Sequence, residues 1–151
     1  MDFDTRTLIQ RDAGAVWQSL WNIEEIARCI EGCRDVRVLE PERRYAATVV
    51  ERVGPFSVTV EMELEVVESE PGRRLVIEAS GKDGKLGTRV RWRGTVALSP
   101  EGDGRTSLEV RLHAEVRGEI ASLGEGLVKR KAQEGLQKFL DAFVKMAEKA
   151  A

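Results

Sequence analysis

The sequence predicts an α+β fold in which a curved antiparallel sheet of about seven strands wraps around one long C-terminal helix. Two observations predict it. Between residues 35 and 117, apolar side chains recur at every second position, which is the period of a strand with one buried face. After Gly118 they recur at steps of three and four, which is the period of an amphipathic helix.

Two short helices are predicted after the first strand, which comprises residues 3–10. Asp12 is a suitable N-cap for the first of them. Asn22 begins the second, and Glu25 three positions later completes a capping box. That helix stops at Gly32, because glycine commonly follows the last helical turn. The predicted inward side chains of the first helix are Val16, Trp17 and Leu20.

The alternating region divides into strands at turns rich in glycine and proline. Its clearest strand is residues 57–67, with glutamates on the face opposite the valines. Successive strands joined by short turns form an antiparallel meander with one apolar and one solvated face. Glutamates on this strand and arginines on residues 88–99 suit cross-strand pairing on the solvated face, to which His113 also points. The other strands predicted by pattern are residues 45–53, 73–80 and 106–117.

The last predicted element is a helix from about residue 119 to 149, roughly 45 Å long. It covers the apolar face of the sheet. Its apolar stripe consists of Ile120, Leu123, Leu127, Ala132, Leu136, Phe139, Phe143 and Ala147.

Bulk composition indicates one soluble globular domain over residues 1–151, with 42% hydrophobic and 33% charged residues. A net charge of −2 argues against nucleic acid as a partner. No stretch approaches the roughly 18 apolar residues of a membrane span. The first residues lack a secretory signal, and two cysteines without one predict a reducing, cytoplasmic setting.

The segment CIEGC holds both cysteines, Cys29 and Cys33. A zinc site needs about four ligands, and this chain offers no second pair of cysteines. A nucleophilic cysteine needs a base, and His113 points away from the apolar face. We therefore expect no metal and interpret the segment as a packing corner between helix and sheet.

Glu51 is the most interesting carboxylate, because in the phase of Tyr45 and Val53 it faces inward as a candidate acid or base. The alternatives are a solvated strand end or the opposite phase, and we favour them. The glycines at 81–88 and 124–126 do not fit a nucleotide-binding loop. The glycines at 124–126 instead predict that the long helix approaches the sheet closely or bends. Residues 129–131 predict either a solvated helix face or a patch for anionic lipid or a partner.

The order of elements resembles the helix-grip fold of the START (SRPBCC) and birch-pollen-allergen superfamily. Three segments are similar to one of its families, that of the carbon monoxide dehydrogenase G subunit (CoxG): residues 16–36, the Val-Gly-Pro turn at 53–55, and residues 118–128. Glu31 stands where that family has proline, and Ile120 where leucine is common. The residues that carry the resemblance are Trp17, Cys29, Gly32, Cys33, Gly54, Pro55, Gly118 and Gly124.

The resemblance implies a non-catalytic accessory protein that recruits a molybdenum hydroxylase to the cytoplasmic membrane or matures it. It implies a cytoplasmic location with peripheral contact to the inner face of the membrane, and no cofactor. A cavity under the helix suits a hydrophobic ligand, and a quinone or isoprenoid lipid is our hypothesis. The predicted lining is Val58, Val60, Met62, Leu64, Val90, Trp92, Val110, Leu112, Leu123, Leu127 and Phe139.

Two other functions are compatible with these residues. The same superfamily contains polyketide cyclases, and an enzyme of that kind would have to use Glu51 or Tyr45 in its cavity. A co-chaperone or other protein-interaction module would use the solvated sheet face or the long helix on a partner and needs no ligand.

Overall fold

The computed structural model describes residues 1–149. It confirms the predicted fold class: seven antiparallel strands, two short helices after the first strand, and a long C-terminal helix. The elements are β1 (Asp2–Ile9), α1 (Ala13–Leu20), α2 (Ile23–Cys29), β2 (Cys33–Glu40), β3 (Arg44–Val53), β4 (Phe56–Glu70), β5 (Arg74–Asp83), β6 (Thr88–Pro100), β7 (Thr106–Arg117), a 3-10 helix (Glu119–Leu123) and α3 (Glu125–Lys149).

The sheet has the strand order β1-β7-β6-β5-β4-β3-β2, so every strand from β2 to β7 pairs with its neighbour in sequence. Only β1 breaks this order, because it pairs with β7 at the far edge, where Phe3 lies opposite Leu112. The side chains of α1, α2 and α3 cover one face, which we call the inner face, and the opposite face is the outer face. The strand alternation predicted for residues 57–67 is confirmed, with Val58, Val60 and Met62 buried.

Both short helices begin at the predicted caps. A side-chain oxygen of Asp12 accepts the backbone N–H of Ala15 at 3.2 Å, and that of Asn22 accepts Glu25 N–H at 3.4 Å. The predicted capping box forms only in this one direction, however. The carboxylate of Glu25 accepts a bond from Arg28 at 2.8 Å instead of returning to the cap.

The prediction of one unbroken helix from residue 119 is wrong at its start. A 3-10 helix comes first, and the backbone then passes through Gly124 at φ 96° before α3 begins. Because an α-helix needs φ near −60°, neither Gly124 nor Gly118 at φ 106° continues one. α3 itself has 25 residues and is roughly 37 Å long. The predicted close approach at 124–126 is also wrong, since a Cβ on Gly124 or Gly126 would meet nothing within 4 Å.

Ion pairs cover much of the outer face, although not between the strands that the sequence suggested. β5 lies between β4 and β6, so their glutamates and arginines cannot pair directly. Arg93 of β6 pairs instead with Glu78 of β5, and Arg44 of β3 pairs with Glu63 of β4 at 3.5 Å. His113 lies on this face as predicted, exposed and 2.7 Å from Asp2.

The free edge of β2 is irregular. Its pairing with β3 shifts register between Arg34 and Arg37 and again between Val38 and Glu40. Asp35, in the first of these shifts, has φ 53°, a left-handed value that few side chains adopt. Beyond it, Val38 and Leu39 are 52% and 45% exposed.

The CIEGC segment forms the corner between α2 and β2. Cys29 is buried at the end of α2, Cys33 begins β2 half-buried, and burial raises the pKa of both thiols. Gly32 between them has φ 81° and lies against β3, where its carbonyl accepts the N–H of Val50 at 2.9 Å. A Cβ on Gly32 would collide with the carbonyl oxygen of Val50, so only glycine fits this corner.

Gly32→Ala is expected to lower the free energy of unfolding by about 3 kcal/mol, from left-handed strain and the backbone collision together. Gly72→Ala is the matched control, because Gly72 has a similar φ of 76° with nothing within 4 Å of an added Cβ. It should cost about 1 kcal/mol, from strain alone. Urea unfolding followed by tryptophan fluorescence measures both, and equal losses would contradict the collision.

Candidate functional site

The inner face carries two separate buried clusters. The helix-side cluster lies where α1, α2 and the end of α3 meet the sheet, and the turn-side cluster lies near the β3–β4 turn and the 3-10 helix. The helix-side cluster is Ile9, Val16, Cys29, Leu98, Leu108, Leu140, Phe143 and Ala147. The turn-side cluster is Val53, Val58, Val60, Met62, Ala79 and Ile120.

A strip of the inner face between the two clusters is only half-buried. We call it the inner-face strip and define it as Leu64, Ile77, Trp92 and Leu112, which lie on four different strands. The side chains of Trp92 and Leu112 close over Gly94, because an added Cβ there would stand only 3.3 Å from each of them. Apolar side chains that face a covering helix yet remain partly accessible mark incomplete coverage of the sheet.

The eleven predicted lining residues divide between these regions. Three form part of the turn-side cluster, and Leu64, Trp92 and Leu123 pack against it. Val110 and Phe139 pack instead against the helix-side cluster. The three that belong to the turn-side cluster are Val58, Val60 and Met62, while Val90, Leu112 and Leu127 are half-buried outside both clusters, on β6, β7 and α3.

The resemblance residues lie mainly at two places. Trp17 packs against the helix-side cluster and makes an edge-on contact with Trp21, with ring centroids 5.8 Å apart. Gly54, at the turn after β3, lies beside Leu123 of the 3-10 helix. Gly118 touches the backbone of Gly87 and Thr88, and a Cβ there would lie 2.5 Å from the Gly87 oxygen. The turns after β3 and β5 and the 3-10 helix therefore converge at one end of the sheet, which we call the turn end; exposed Pro55 belongs to it.

Asp83 is a buried carboxylate at the turn end, 5% exposed on the inner face. Its side chain accepts three backbone N–H groups: Thr59 at 2.9 Å, Lys85 at 2.7 Å and Leu86 at 3.2 Å. These bonds, Thr59 foremost, lower the pKa of Asp83 below its ordinary value. The carboxylate therefore holds the β5–β6 turn onto β4 and is fully occupied in doing so.

Thr88 stands opposite Asp83 on β6, and its side chain faces the inner side in the phase of Trp92. It is 1% exposed, and its Oγ1 has no hydrogen-bond partner within residues 1–149. A buried hydroxyl without a partner costs about 1–3 kcal/mol, so such a group in a native protein calls for a physical explanation.

Glu51 lies opposite Val58, so its side chain points to the inner side at the end of β3. It is 37% exposed there and pairs with Lys131 of α3 at 3.0 Å, which raises the pKa of Lys131. The opposite-phase alternative is therefore wrong, whereas the solvated strand end is confirmed. Tyr45 on the same strand is buried on the inner side, where burial raises its pKa.

Sequence reasoning missed three of these groups. Alternation along β5 puts Asp83 on the same face as Ile77 and Ala79. An aspartate beside a turn is normally solvated, however, so its burial was not expected. Thr88 and Lys131 carried no local signal, because an unpaired hydroxyl and an ion pair across 80 residues of chain are visible only in three dimensions.

Two depressions open at the surface, and the lining of the first includes Leu64 and Trp92 of the inner-face strip. One of about 680 Å³ lies on the outer face among charged side chains, several of which pair with each other. The other, about 370 Å³, lies at the turn end between the last residues of β7 and the start of α3. Val116 and Val128 line it, and both pack against the turn-side cluster.

Neither a metal cluster nor a membrane-spanning helix is present in residues 1–149. Within this range no group of three or more His, Cys, Asp or Glu side chains is placed to hold a metal ion. None of its helices combines the length and the apolar character needed to cross a bilayer.

Residues 6–149 match the family model of the carbon monoxide dehydrogenase G subunit (CoxG). The chain belongs to the CoxG family. A conserved protein from Geobacillus kaustophilus has a similar structure with a TM-score of 0.89 at 21% identity, covering 99% of this chain and 96% of that one. No curated protein matches the sequence.

Two other solved structures share the fold at lower identity, as expected for the START-like helix-grip fold. A START superfamily protein from Mycobacterium smegmatis has a TM-score of 0.73 at 15% identity, covering 97% of each chain. The Zhui aromatase/cyclase from Streptomyces sp. R1128 also has a TM-score of 0.73, at 14% identity, covering 98% of this chain and 93% of its own.

Asp83→Asn is expected to lower the melting temperature by several degrees at pH 7, because a neutral amide accepts three N–H bonds poorly. Since folding lowers the pKa of Asp83, its stabilisation is present above the ordinary value of 3.8 and is lost as the pH falls through the folded value. The gap between wild type and Asp83→Asn should therefore narrow below about pH 4. Thermal melts from pH 7 to pH 3 measure this gap, and a constant gap would contradict a role for the charge.

Proposed function

We propose that this CoxG-family protein is a non-catalytic carrier that binds a hydrophobic ligand between the inner face of the sheet and α3. The observation that carries the proposal is the inner-face strip, where Leu64, Ile77, Trp92 and Leu112 are half-buried although they face the helix. A bound apolar ligand would remove this surface from water, at about 25 cal/mol per Å².

The polar groups of the inner face narrow the class of ligand. Asp83 is saturated by backbone N–H groups, and Glu51 lies partly exposed at the strand end in an ion pair with Lys131, so neither is placed to bind a ligand on the strip. The buried hydroxyl of Thr88 has no hydrogen-bond partner within residues 1–149, and it can donate one hydrogen bond. A long apolar molecule with a carbonyl at one end fits this pattern, which supports a quinone over a plain isoprenoid hydrocarbon.

Family membership supports a proposal for the role in the cell. We propose that the protein serves a molybdenum hydroxylase of the carbon monoxide dehydrogenase type, by recruiting it to the membrane or by maturing it. Quinone binding is compatible with this role, because a quinone is an electron acceptor that resides in the membrane. The proposal places the protein at the inner face of the cytoplasmic membrane as a peripheral partner.

An enzymatic function is the second candidate, and the shared fold of the Zhui aromatase/cyclase is the observation that favours it. Such chemistry needs an acid or base that reaches the ligand. Of the two candidates, Glu51 lies at the strand end in an ion pair, and only Tyr45 is buried on the inner face. If the protein is a carrier, the variants Glu51→Gln and Tyr45→Phe should bind the ligand as well as the wild type does. The ligand should also be recovered chemically unchanged.

Quinone binding by the purified protein is expected to be blocked by Leu112→Trp, which fills the inner-face strip. Ser80→Trp is the matched control, since Ser80 lies on the exposed outer face of β5, two strands from Leu112. Titration with a short-chain menaquinone, followed by quenching of tryptophan fluorescence, should give at least tenfold weaker binding for Leu112→Trp only.

Two results would remove the support for this site: equal binding by both tryptophan variants, or no binding by well-folded wild type. Organic extraction of protein purified gently from its host, followed by mass spectrometry, identifies the natural ligand independently. A clean extract would favour the partner-binding module.

Thr88→Val is expected to change fold stability and ligand binding in opposite directions. Valine has nearly the same shape, so removal of the unpaired hydroxyl should raise stability by about 1 kcal/mol. The same change should weaken menaquinone binding two- to tenfold, the value of about one hydrogen bond. Binding of a hydrocarbon such as squalene should not change, and a parallel loss of both ligands would show that Thr88 donates no bond.

A further inference from the structure

Three cations stand side by side on the outer face at the turn end. Lys82 of β5 lies opposite Arg89 of β6, and Arg89 lies opposite Arg117 of β7. All three are exposed, and none forms an ion pair with a carboxylate in residues 1–149. We call these three residues the cation row.

Most other cations of the outer face lie opposite a carboxylate, whereas Arg89 has a cation on each side. Four residues further along β6, Arg93 lies opposite Glu78 and pairs with it. On the same face, His113 pairs with Asp2. Like charges directly opposite on neighbouring strands are destabilising, whereas opposite charges are worth roughly 0.2–1 kcal/mol per pair. Glu65 and Glu78 also lie opposite each other, but each has an arginine on its other side. Arg89 has no such relief, and natural proteins accept local costs of this kind mainly at functional sites.

Apolar groups and an opening lie next to the cation row. The turns that converge there carry the half-buried side chains of Phe56, Leu86 and Leu123, all packed against the turn-side cluster. Arg117 lines the depression of about 370 Å³ that opens beside that cluster. The turn between β5 and β6 adds the exposed Lys85.

The local surplus of positive charge contrasts with the net charge of −2 for the whole chain. Several carboxylates lie nearby, among them Glu61 opposite Lys82 on β4, Glu119 in the 3-10 helix and Glu125 in α3, but within residues 1–149 none of these three forms an ion pair with the row. Neighbouring strands are about 4.8 Å apart, so the row extends about 10 Å across a surface that has no enclosed pocket for one anion. Such an array fits a surface of many phosphates better than a single bound group.

We propose that the turn end docks on an anionic bilayer, with Lys82, Arg89 and Arg117 against the phospholipid head groups. The inference rests on the proposed function, because docking there places the depression beside Arg117 at the surface from which a hydrophobic ligand would enter. Cations of this kind strengthen binding to acidic membranes, and apolar side chains among them penetrate the interface.

The test compares two triple variants of the full chain in vesicle co-sedimentation. The row variant is K82Q/R89Q/R117Q, and the control is R43Q/R73Q/R105Q, whose arginines are exposed in turns at the opposite end of the sheet. Each variant loses three positive charges from the same starting net charge of −2, so only the place of the change differs. The vesicles are phosphatidylcholine alone or phosphatidylcholine with about 30% phosphatidylglycerol.

The wild type and the control should bind the acidic vesicles and release them at high salt, and neither should bind neutral vesicles. The row variant should bind on the order of 100-fold more weakly, because each cation at an acidic surface strengthens binding about fivefold. Equal losses in both variants, or undiminished binding by the row variant, would overturn the proposal. So would salt-sensitive binding to an acidic protein without binding to vesicles.

Menaquinone titration without vesicles separates this proposal from the carrier function. The row variant should keep wild-type quinone affinity, because its substitutions lie on the outer face. If quinone binding fails in all proteins while vesicle binding follows the row, the carrier function is wrong and docking stands.

Arg89→Glu gives a second readout that does not depend on loss of folding. It converts two like-charge neighbours into two opposite-charge neighbours and should raise the melting temperature by about 1–4 °C at low salt. The same variant should bind acidic vesicles more weakly than wild type. A lower melting temperature would show that the row is not a site of repulsion and would remove the basis of the proposal.

Discussion

A single helix cannot cover a seven-stranded sheet, and this mismatch governs the rest of the molecule. Seven strands at about 4.8 Å spacing make a surface roughly 29 Å wide, whereas a helix with its side chains is about 10–12 Å wide. Every second side chain of each strand points to the inner face, so most of that width is apolar. The sheet must curve, α1 and α2 must cover one end, and the 3-10 helix must cover the other. The inner-face strip is what remains between them.

The part of this arrangement that follows from periodicity could be predicted from the sequence. Alternation placed Val58, Val60 and Met62 inward, and the helix caps Asp12 and Asn22 were legible because capping is local. The break before α3 at Gly124 could not be predicted in this way. The apolar stripe of the sequence runs through it, and only the backbone angle shows the interruption. The ion pairs of the outer face could not be predicted either, because they depend on strand order. β5 lies between β4 and β6, so the glutamates of β4 and the arginines of β6 pair with other residues than with each other.

The candidate site was predictable in outline and not in detail, for a related reason. A list of inward residues does not say how closely a helix lies over each of them, so Val110 and Trp92 looked equivalent although they pack in different clusters. Polar groups were harder still. Asp83 and Thr88 stand opposite each other on the same face, yet one is saturated by backbone N–H groups and the other has no partner. Their difference is purely geometric, which is why the sequence does not reveal it.

The irregular edge of β2 bears on what this protein does at high concentration. A straight free strand offers a row of N–H and C=O groups to any other chain, and the exposed Val38 and Leu39 would make such pairing favourable. The left-handed residue Asp35 and the two register shifts bend the strand away from that geometry. The kink therefore acts as a guard against strand-by-strand assembly of copies into fibres. A more regular β2 would fit its neighbour β3 better and leave the protein less able to remain dispersed.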